Sequence, residues 1–493
     1  HFIGLYIFIM QYDLETANIS FDLFGSTKSK LIDDKLTKTK ETSFLLMLRA
    51  SSSAKNFLVS KRARSVTIFV GKGNNGEDGL CLAALLKIEN IRTHIIDLDN
   101  KSRPKSYAYL LCVNLGVKIE KYSGRKIPKS DWYVDALFGI GLNRDFQGDY
   151  LRVINFLQCS KSKRILSLDL PSGLHGSKGI IFNTAVKATA TITFLTLKPG
   201  LFIDNSCDHS GIIYFDNLSI DQVGYKPDMR SIAKEKIHIP NLSRSAHKGN
   251  RGSILCLGGS KSMEGAGILA GISALRSGGG KVFWASNTKN LRRPPELIHI
   301  DPTIDSIKNV IDKNMRTAII GPGLGKGFDR EIEFLWKSKL KIILDADGLD
   351  WLSRIKPKKR TAAWVGTPHT GEIKKLLKGD FSDKWSNMIK LKKYFGGEWI
   401  LKGPGTLVSE DRKLWLNLYS NGWLGTAGMG DVLAGIIAGL WASGSNAPFR
   451  SAVYLQTQCA KNFLQLNRGA GLTASNISEF IGPSIGSYFK SEV

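Results

Sequence analysis

The sequence predicts an α/β protein made of two consecutive domains. Three observations carry this. The chain has 493 residues, more than a single hydrophobic core usually serves. Apolar runs of strand length alternate with helical stretches over about residues 65–215, and again from 252 to the end. Most of the runs stop at Gly, Asp or Pro, as in parallel βαβ units, which bind ligands at the carboxyl ends of their strands.

Taken in order, His1 to Met10 is apolar but too short to span a bilayer, and it lacks the basic start and cleavage site of a signal peptide. Met10 is a candidate start. The first alternating region has candidate strands at 66–70, 92–97, 132–135, 164–169, 190–194 and 211–215. Residues 216–248 are polar and irregular. A boundary near 236 gives domains 1–236 and 237–493. The second region has candidate strands at 253–257, 281–285, 317–320, 341–345, 363–367, 398–402 and 406–409.

The net charge of +26 invites a nucleic-acid reading, but the basic excess is spread evenly, with 35 Lys and Arg in residues 1–250 and 34 in the rest. The run Lys356 to Arg360 reads as a solvated loop. A diffuse positive field suits anionic small molecules. Neither nucleic acid nor membrane is an expected partner. The six cysteines form no C-x-x-C pair and read as reduced, buried thiols of a cytoplasmic protein.

Four corners in the first region carry chemistry. GKGNNGEDGL, Gly71 to Leu80, turns a strand into a helix whose free N–H groups suit an anion, while its amides suit sugar hydroxyls or a cation. VDALFGIGLNRDFQG puts Asp135 before a glycine loop; LSLDLPSGLHG puts Asp169 before Pro-Ser-Gly; LKPGL follows another strand. One strand-end Asp is usually a turn former. Two such carboxylates beside an Asn-Asn-Gly loop favour acid–base work or cation ligation.

These four motifs in this order resemble the NAD(P)H-hydrate epimerase (YjeF N-terminal) family over roughly residues 40–225. The resemblance implies a Rossmann-like three-layer domain that interconverts the R and S forms of hydrated NADH and NADPH (NADHX and NADPHX). It implies that Asn74, Asn75, Gly76, Glu77 and Asp78, with Gly139, Ile140, Gly141, Leu142, Asn143, Arg144 and Asp145, hold the nucleotide. Asn75, Asp135 and Ser172 would ligate K+, and Asp169 would be the acid–base residue. Two positions depart from the pattern. Glu77 stands where Gly is usual, its carboxylate expected to face solvent. Met47-Leu48-Arg49-Ala50-Ser51 replaces Met-Glu-x-Ala-Gly.

The second region holds AHKGNRGSILCLGGSKSMEGAG, GPGLG, LDADGL, TPHTGE, LKGPGT and GTAGMGDVLAGIIAGL. In the last, Gly428 and Gly430 frame a turn and Asp431 begins a long apolar helix. N–H groups there can hold an anionic transition state, and Asp431 can take a proton from an attacking hydroxyl, which suits phosphoryl transfer. By itself Asp431 would read as a helix cap, His369 as a turn residue and Glu372 as a helix-start carboxylate.

Together these motifs resemble the NAD(P)H-hydrate dehydratase family, ribokinase-like in fold, over roughly residues 240–485. The two domains in this order resemble a bacterial family of bifunctional NAD(P)H-hydrate repair enzymes. The resemblance implies that Ala266, Gly323, Gly325, His369 and Asp431 contact the hydrated cofactor. Lys402, Gly403, Pro404, Gly405, Thr406 and Gly430 would hold the adenine nucleotide. The cosubstrate would be ADP, with Mg2+ bridging its phosphates and AMP and phosphate as products. The expected assembly is a homo-oligomer. Leu424-Gly425 stands for the usual Met-Ala, and Asp350 for Asn. A vitamin or sugar kinase with an added ligand-binding domain would use the same turn, and a purely structural N-terminal module is a further alternative.

Overall fold

The computed structural model describes residues 11–13, 19–98, 106–124, 127–159, 163–220, 224–288, 294–312 and 314–490. His1 to Met10, including the candidate start, lies outside them. Contacts group the chain into two units: His1–Ala17 with Phe21–Met229, and Asn18–Ser20 with Arg230–Val493.

In the first unit, a sheet runs in the order Ile212–Asp216, Ala190–Phe194, Arg164–Leu168, Trp132–Ala136, Ser65–Val70, Arg92–Asp97, Lys118–Lys121. All these neighbours are parallel; Gln11–Asp13 adds an antiparallel edge beside Ile212–Asp216. Side chains alternate between two cores. Val66, Ile68 and Val70 pack with Phe57 of helix Lys40–Ser60 and with Leu80 to Leu86 of helix Asn74–Ile88. Phe69 points the other way, to Val153, Ile154 and Leu157 of helix Asp149–Gln158. Both faces are covered, so the central strand is buried along its whole length and mostly apolar. The edge strand Lys118–Lys121 was not predicted: its sequence, KIEK, has no apolar run, because it is mostly exposed.

The second unit has a sheet in the order Leu297–Ile300, Lys281–Ala285, Ser253–Leu257, Met315–Ile320, Lys341–Leu344, Trp364–Gly366, Glu398–Leu401, Leu407–Glu410, Lys413–Leu416, Met229–Ser231. The seven strands from Leu297–Ile300 to Glu398–Leu401 run parallel, so their carboxyl ends share one edge. One face packs on helices Glu264–Arg276, Met429–Ala442, Pro448–Leu466 and Ala474–Lys490. Edge-on contacts join Trp351 to Trp336, Trp336 to Trp364 and Trp364 to Trp399. Helix Met429–Ala442 is buried almost all round, which explains why it is apolar on every side. Gly435 and Gly439 bring it against helix Glu264–Arg276, since a Cβ on either would overlap the Ala270 or Ala274 carbonyl.

Two expectations need correction. Of the six unpaired cysteines, Cys159, at the end of helix Asp149–Gln158, is exposed and Cys207 is half-buried. Arg360 is not a solvated loop residue: it is half-buried over the Trp336 ring and donates to the Leu335, Trp336 and Leu340 carbonyls. No helix among the described residues is long and apolar enough to cross a membrane.

Candidate active sites

The first site is built where strands Ser65–Val70, Trp132–Ala136 and Arg164–Leu168 end side by side. Gly71 and Gly76 are there because backbones meet: a Cβ on Gly76 would overlap the Gly71 carbonyl, and one on Gly71 the Leu137 carbonyl. Gly76→Ala is therefore expected to destabilise the first unit by about 1–3 kcal/mol, read as a lower denaturant midpoint. Asn75 is buried, and its Nδ2 donates to the Phe138 carbonyl at 2.9 Å. Its Oδ1 is buried with no hydrogen-bond partner.

Asp135 is wholly buried. Oδ2 accepts from Ser167 Oγ and Ser172 N, both at 2.8 Å, and Oδ1 from Ser172 Oγ at 2.6 Å and Leu137 N at 3.4 Å. Burial lifts its carboxyl above the ordinary value, and these hydrogen bonds oppose the rise. Phe138 N donates to Ser172 Oγ at 2.9 Å, so Asn75, Asp135 and Ser172 share one cradle around Phe138.

Asp169 faces the same space: a Cβ on Gly139 would lie 3.5 Å from its Oδ2 and 3.6 Å from Asn75 Cβ. From Gly139 the loop then leads outward. Ile140 and Leu142 are half-buried, while Gly141, Asn143, Arg144 and Asp145 are exposed. Asp145 accepts from Asn183 N at 3.0 Å, which pins the far end of the loop. Asn74 is exposed and reaches Asp33 Oδ2 at 3.4 Å. Burial, then Asp169 and Asp33, push the Asp78 carboxyl far above its usual range.

The second site collects corners along the shared carboxyl edge. A Cβ on Gly323 would stand 3.0 Å from Ala266 Cβ, and one on Gly325 3.3 Å from Ser260 Oγ. Gly325 N donates to Asp347 Oδ2 at 2.8 Å. Asp345 accepts from Lys402 Nζ at 2.7 Å and Thr367 Oγ1 at 2.8 Å. A Cβ on Gly430 would lie 2.9 Å from Lys402 Nζ and 3.3 Å from Asp345 Oδ2, so a larger residue there would press on this pair.

Asp431 sits in the first turn of helix Met429–Ala442, whose cap is Gly428 at φ 88 with no side-chain hydrogen bond. Burial, then Asp345, push its carboxyl up to about 7. Burial likewise raises Glu372, with Lys402 opposing. Lys402 is pulled down by burial, but Asp345, Glu372 and Asp431 outweigh that and hold it above the ordinary lysine value. His369 does cap its helix: Nδ1 accepts from Gly371 N at 2.9 Å, while Glu372 Oε2 accepts from His369 N at 2.7 Å. In the LKGPGT loop, Thr406 Oγ1 donates to Gly403 O at 2.9 Å and Gly405 N to Ser420 Oγ at 3.2 Å. Among the described residues no group of three His, Cys, Asp or Glu could hold a metal ion.

Comparison with known proteins matches this division. Residues 254–483 match the family model described as NAD(P)H-hydrate dehydratase, and residues 43–200 the one described as YjeF-related protein N-terminus. A bifunctional NAD(P)H-hydrate repair enzyme Nnr from Coxiella burnetii is 30% identical over 88% of this chain and 93% of its own. The chain belongs to the bifunctional NAD(P)H-hydrate repair enzyme family. The Escherichia coli K12 member is 31% identical over 81% of each chain. A Bacillus subtilis ADP/ATP-dependent NAD(P)H-hydrate dehydratase, co-crystallised with ATP/Mg2+, is 28% identical over 50% of this chain and 94% of its own, with a TM-score of 0.45.

Family membership gives the departures a setting. Ser51 is buried, and its hydroxyl donates to the Asp78 carbonyl at 2.9 Å, so it has a bonding role that Gly could not supply. Glu77 is half-buried rather than turned fully outward, and its charge adds to the rise at Asp78. Asp350 ion-pairs with Arg354 at 2.9 Å on the exposed face of its helix. The motifs assigned no role to Asp33, Lys198 or Lys384, although Lys198 is the lysine of LKPGL. Lys384 is buried and donates to Pro404 O at 2.6 Å, beneath the LKGPGT turn. As the first of four lysines in the helix KWSNMIKLKKYF, Lys384 looks solvated until the fold is known.

Proposed function

We propose that the first unit interconverts the R and S forms of NADH and NADPH hydrates, and that the second dehydrates the S form, converting ADP to AMP and phosphate. The observation that carries the second assignment is Asp431, held up to about 7 at the start of an inner helix and in one charge cluster with Asp345, Glu372 and Lys402. A base whose proton affinity lies near the working pH is suited to take a hydroxyl proton. The ring hydroxyl of the hydrate, deprotonated by Asp431, attacks the terminal phosphorus of ADP. AMP leaves, and elimination of phosphate from the ring then restores the double bond. N–H groups at the Gly428–Gly430 turn would face the phosphoryl oxygens.

Three carboxylates, Asp345, Glu372 and Asp431, share one lysine. That shortage of positive charge suits a magnesium-bound nucleotide, with Mg2+ supplying charge neutralisation at the phosphates. In the first unit, the unpartnered Asn75 Oδ1 and the oxygens of Asp135, Ser172 and Phe138 form an oxygen-lined cradle that fits K+. The ion would supply fixed positive charge beside the nucleotide. Inversion balances if Asp169 takes the hydroxyl proton as the ring C–N bond opens to an aldehyde, the electrons passing to the nitrogen, and returns it when the nitrogen re-adds to the other face.

The deciding experiment incubates purified protein and NADH hydrate with ADP, ATP or neither. Recovery of NADH absorbance with release of free phosphate supports the reading. A stable phosphorylated substrate would point to a kinase instead. Glu77→Gly is expected to speed epimerisation about threefold at low salt and less at high salt, since a half-buried carboxylate repels phosphate until it is screened. An unchanged rate at low salt would show that its charge does not reach the ligand.

A further inference from the structure

The chemistry above uses Asp169 but not the lysine beneath it. The Lys198 side chain is 3% exposed. Each ammonium proton has an acceptor: Asp169 Oδ1, Thr193 Oγ1 at 3.1 Å and Phe194 O at 2.7 Å. An ammonium buried this deeply is costly unless paired and hydrogen-bonded, and this one is both.

Asp169 is held just as closely. It adopts φ 62, rare for a residue with a side chain, and its N–H donates to Ile192 O at 2.7 Å. Its two carboxylate oxygens differ. Oδ1 accepts from Lys198 and from Thr193 Oγ1 at 3.3 Å. Oδ2 accepts no hydrogen bond from a described residue and faces the Gly139 loop, where a Cβ would lie 3.5 Å away. The lysine also faces the carboxylates of Asp33 and Asp78, which crowd the same corner.

We propose that Lys198 is a positioning residue for the epimerase site, anchoring Asp169 Oδ1 so that Oδ2 is the oxygen that exchanges a proton with the hydroxyl of the hydrated carbon. This rests on the epimerase reading of the first unit. The proton passes to Oδ2 and returns from it, so the carboxyl group ends each turnover unchanged. A residue that only filled space would not distinguish the two oxygens, and its loss would add to the loss of Asp169.

The test is a double-mutant cycle on the full chain, following R-to-S conversion of NADH hydrate by chromatography of the epimers. Lys198→Met is expected to lower kcat about 10²-fold, the cost of a misplaced reacting group, with KM within about threefold of wild type. Lys198→Met added to Asp169→Asn should cost nothing further, because nothing remains to be positioned. A Lys198→Met kcat within about threefold of wild type, or losses that multiply in the double variant, would overturn the proposal. Wild-type protein that does not epimerise would overturn the epimerase reading and this proposal with it. If Lys198→Met does not fold, Thr193→Val takes its place, since it removes the hydroxyl bridging the pair. A drop of about threefold that disappears in the Asp169→Asn background then supports the proposal, and an additive drop, or none, overturns it.

Discussion

Asp431→Asn is expected to slow NADH-hydrate dehydration by about 10²–10⁴-fold, the usual cost of losing a general base, while ADP affinity stays within about threefold. The substitution preserves shape and removes only the ability to take the proton. Asp431 is at the start of helix Met429–Ala442, and that helix is fixed by glycine-mediated packing, so the backbone turn should survive. The pH dependence follows from the same carboxyl, which burial and Asp345 push up to about 7. The working form is the carboxylate. Below about 7 it is protonated, so kcat/KM should fall about tenfold per pH unit on the acid side and level off above. The acid limb should vanish in Asp431→Asn. Near-normal turnover of that variant, or a limb that persists, would remove Asp431 from the role of base.

Asp135 gives the second large effect. Asp135→Ala should reduce epimerisation by about 10²–10³-fold, as loss of a fixed electrostatic stabiliser does, and should abolish any dependence on potassium. Its carboxylate accepts from Ser167, Leu137 and twice from Ser172. Alanine would leave those donors unpaired, at about 1–3 kcal/mol each, so the Ser172 turn would loosen as well. Asp135→Asn separates the two causes, because the amide keeps one oxygen acceptor and the shape. Chemical denaturation should place Asp135→Asn nearer wild type in stability, while its epimerisation stays low across a potassium titration. A wild-type rate that is unchanged after thorough removal of monovalent cations would count against the cradle at Asn75.

Much of the fold was legible because buried parallel strands must be apolar and must turn at their carboxyl ends. Runs such as Val66 to Val70 and Ser253 to Leu257 appear as strands within a residue of their expected ends. Strands lacking that signal escaped notice: Lys118–Lys121 is charged and exposed, Met229–Ser231 is only three residues long, and Leu297–Ile300 and Lys413–Leu416 are four-residue runs too short to stand out. His369 shows how one residue can satisfy a plain structural reading, since it caps its own helix while lying at the shared carboxyl edge.

By itself, the sequence determined which corners carry glycines, amides and carboxylates, because those residue types are constrained by local backbone geometry and by chemistry. It therefore points to Asp135, Asp169 and Asp431, and through the family resemblance to Asn75. What only the tertiary structure decided is which charge stands against which. Lys198 lies 29 residues after Asp169, and Lys402 lies 57 after Asp345, yet each pair meets in the interior. Burial turns such pairs from weak surface attractions into strong determinants of side-chain direction, because little water remains to screen them. Burial is set by how strands and helices stack, so no local pattern of residues could reveal it.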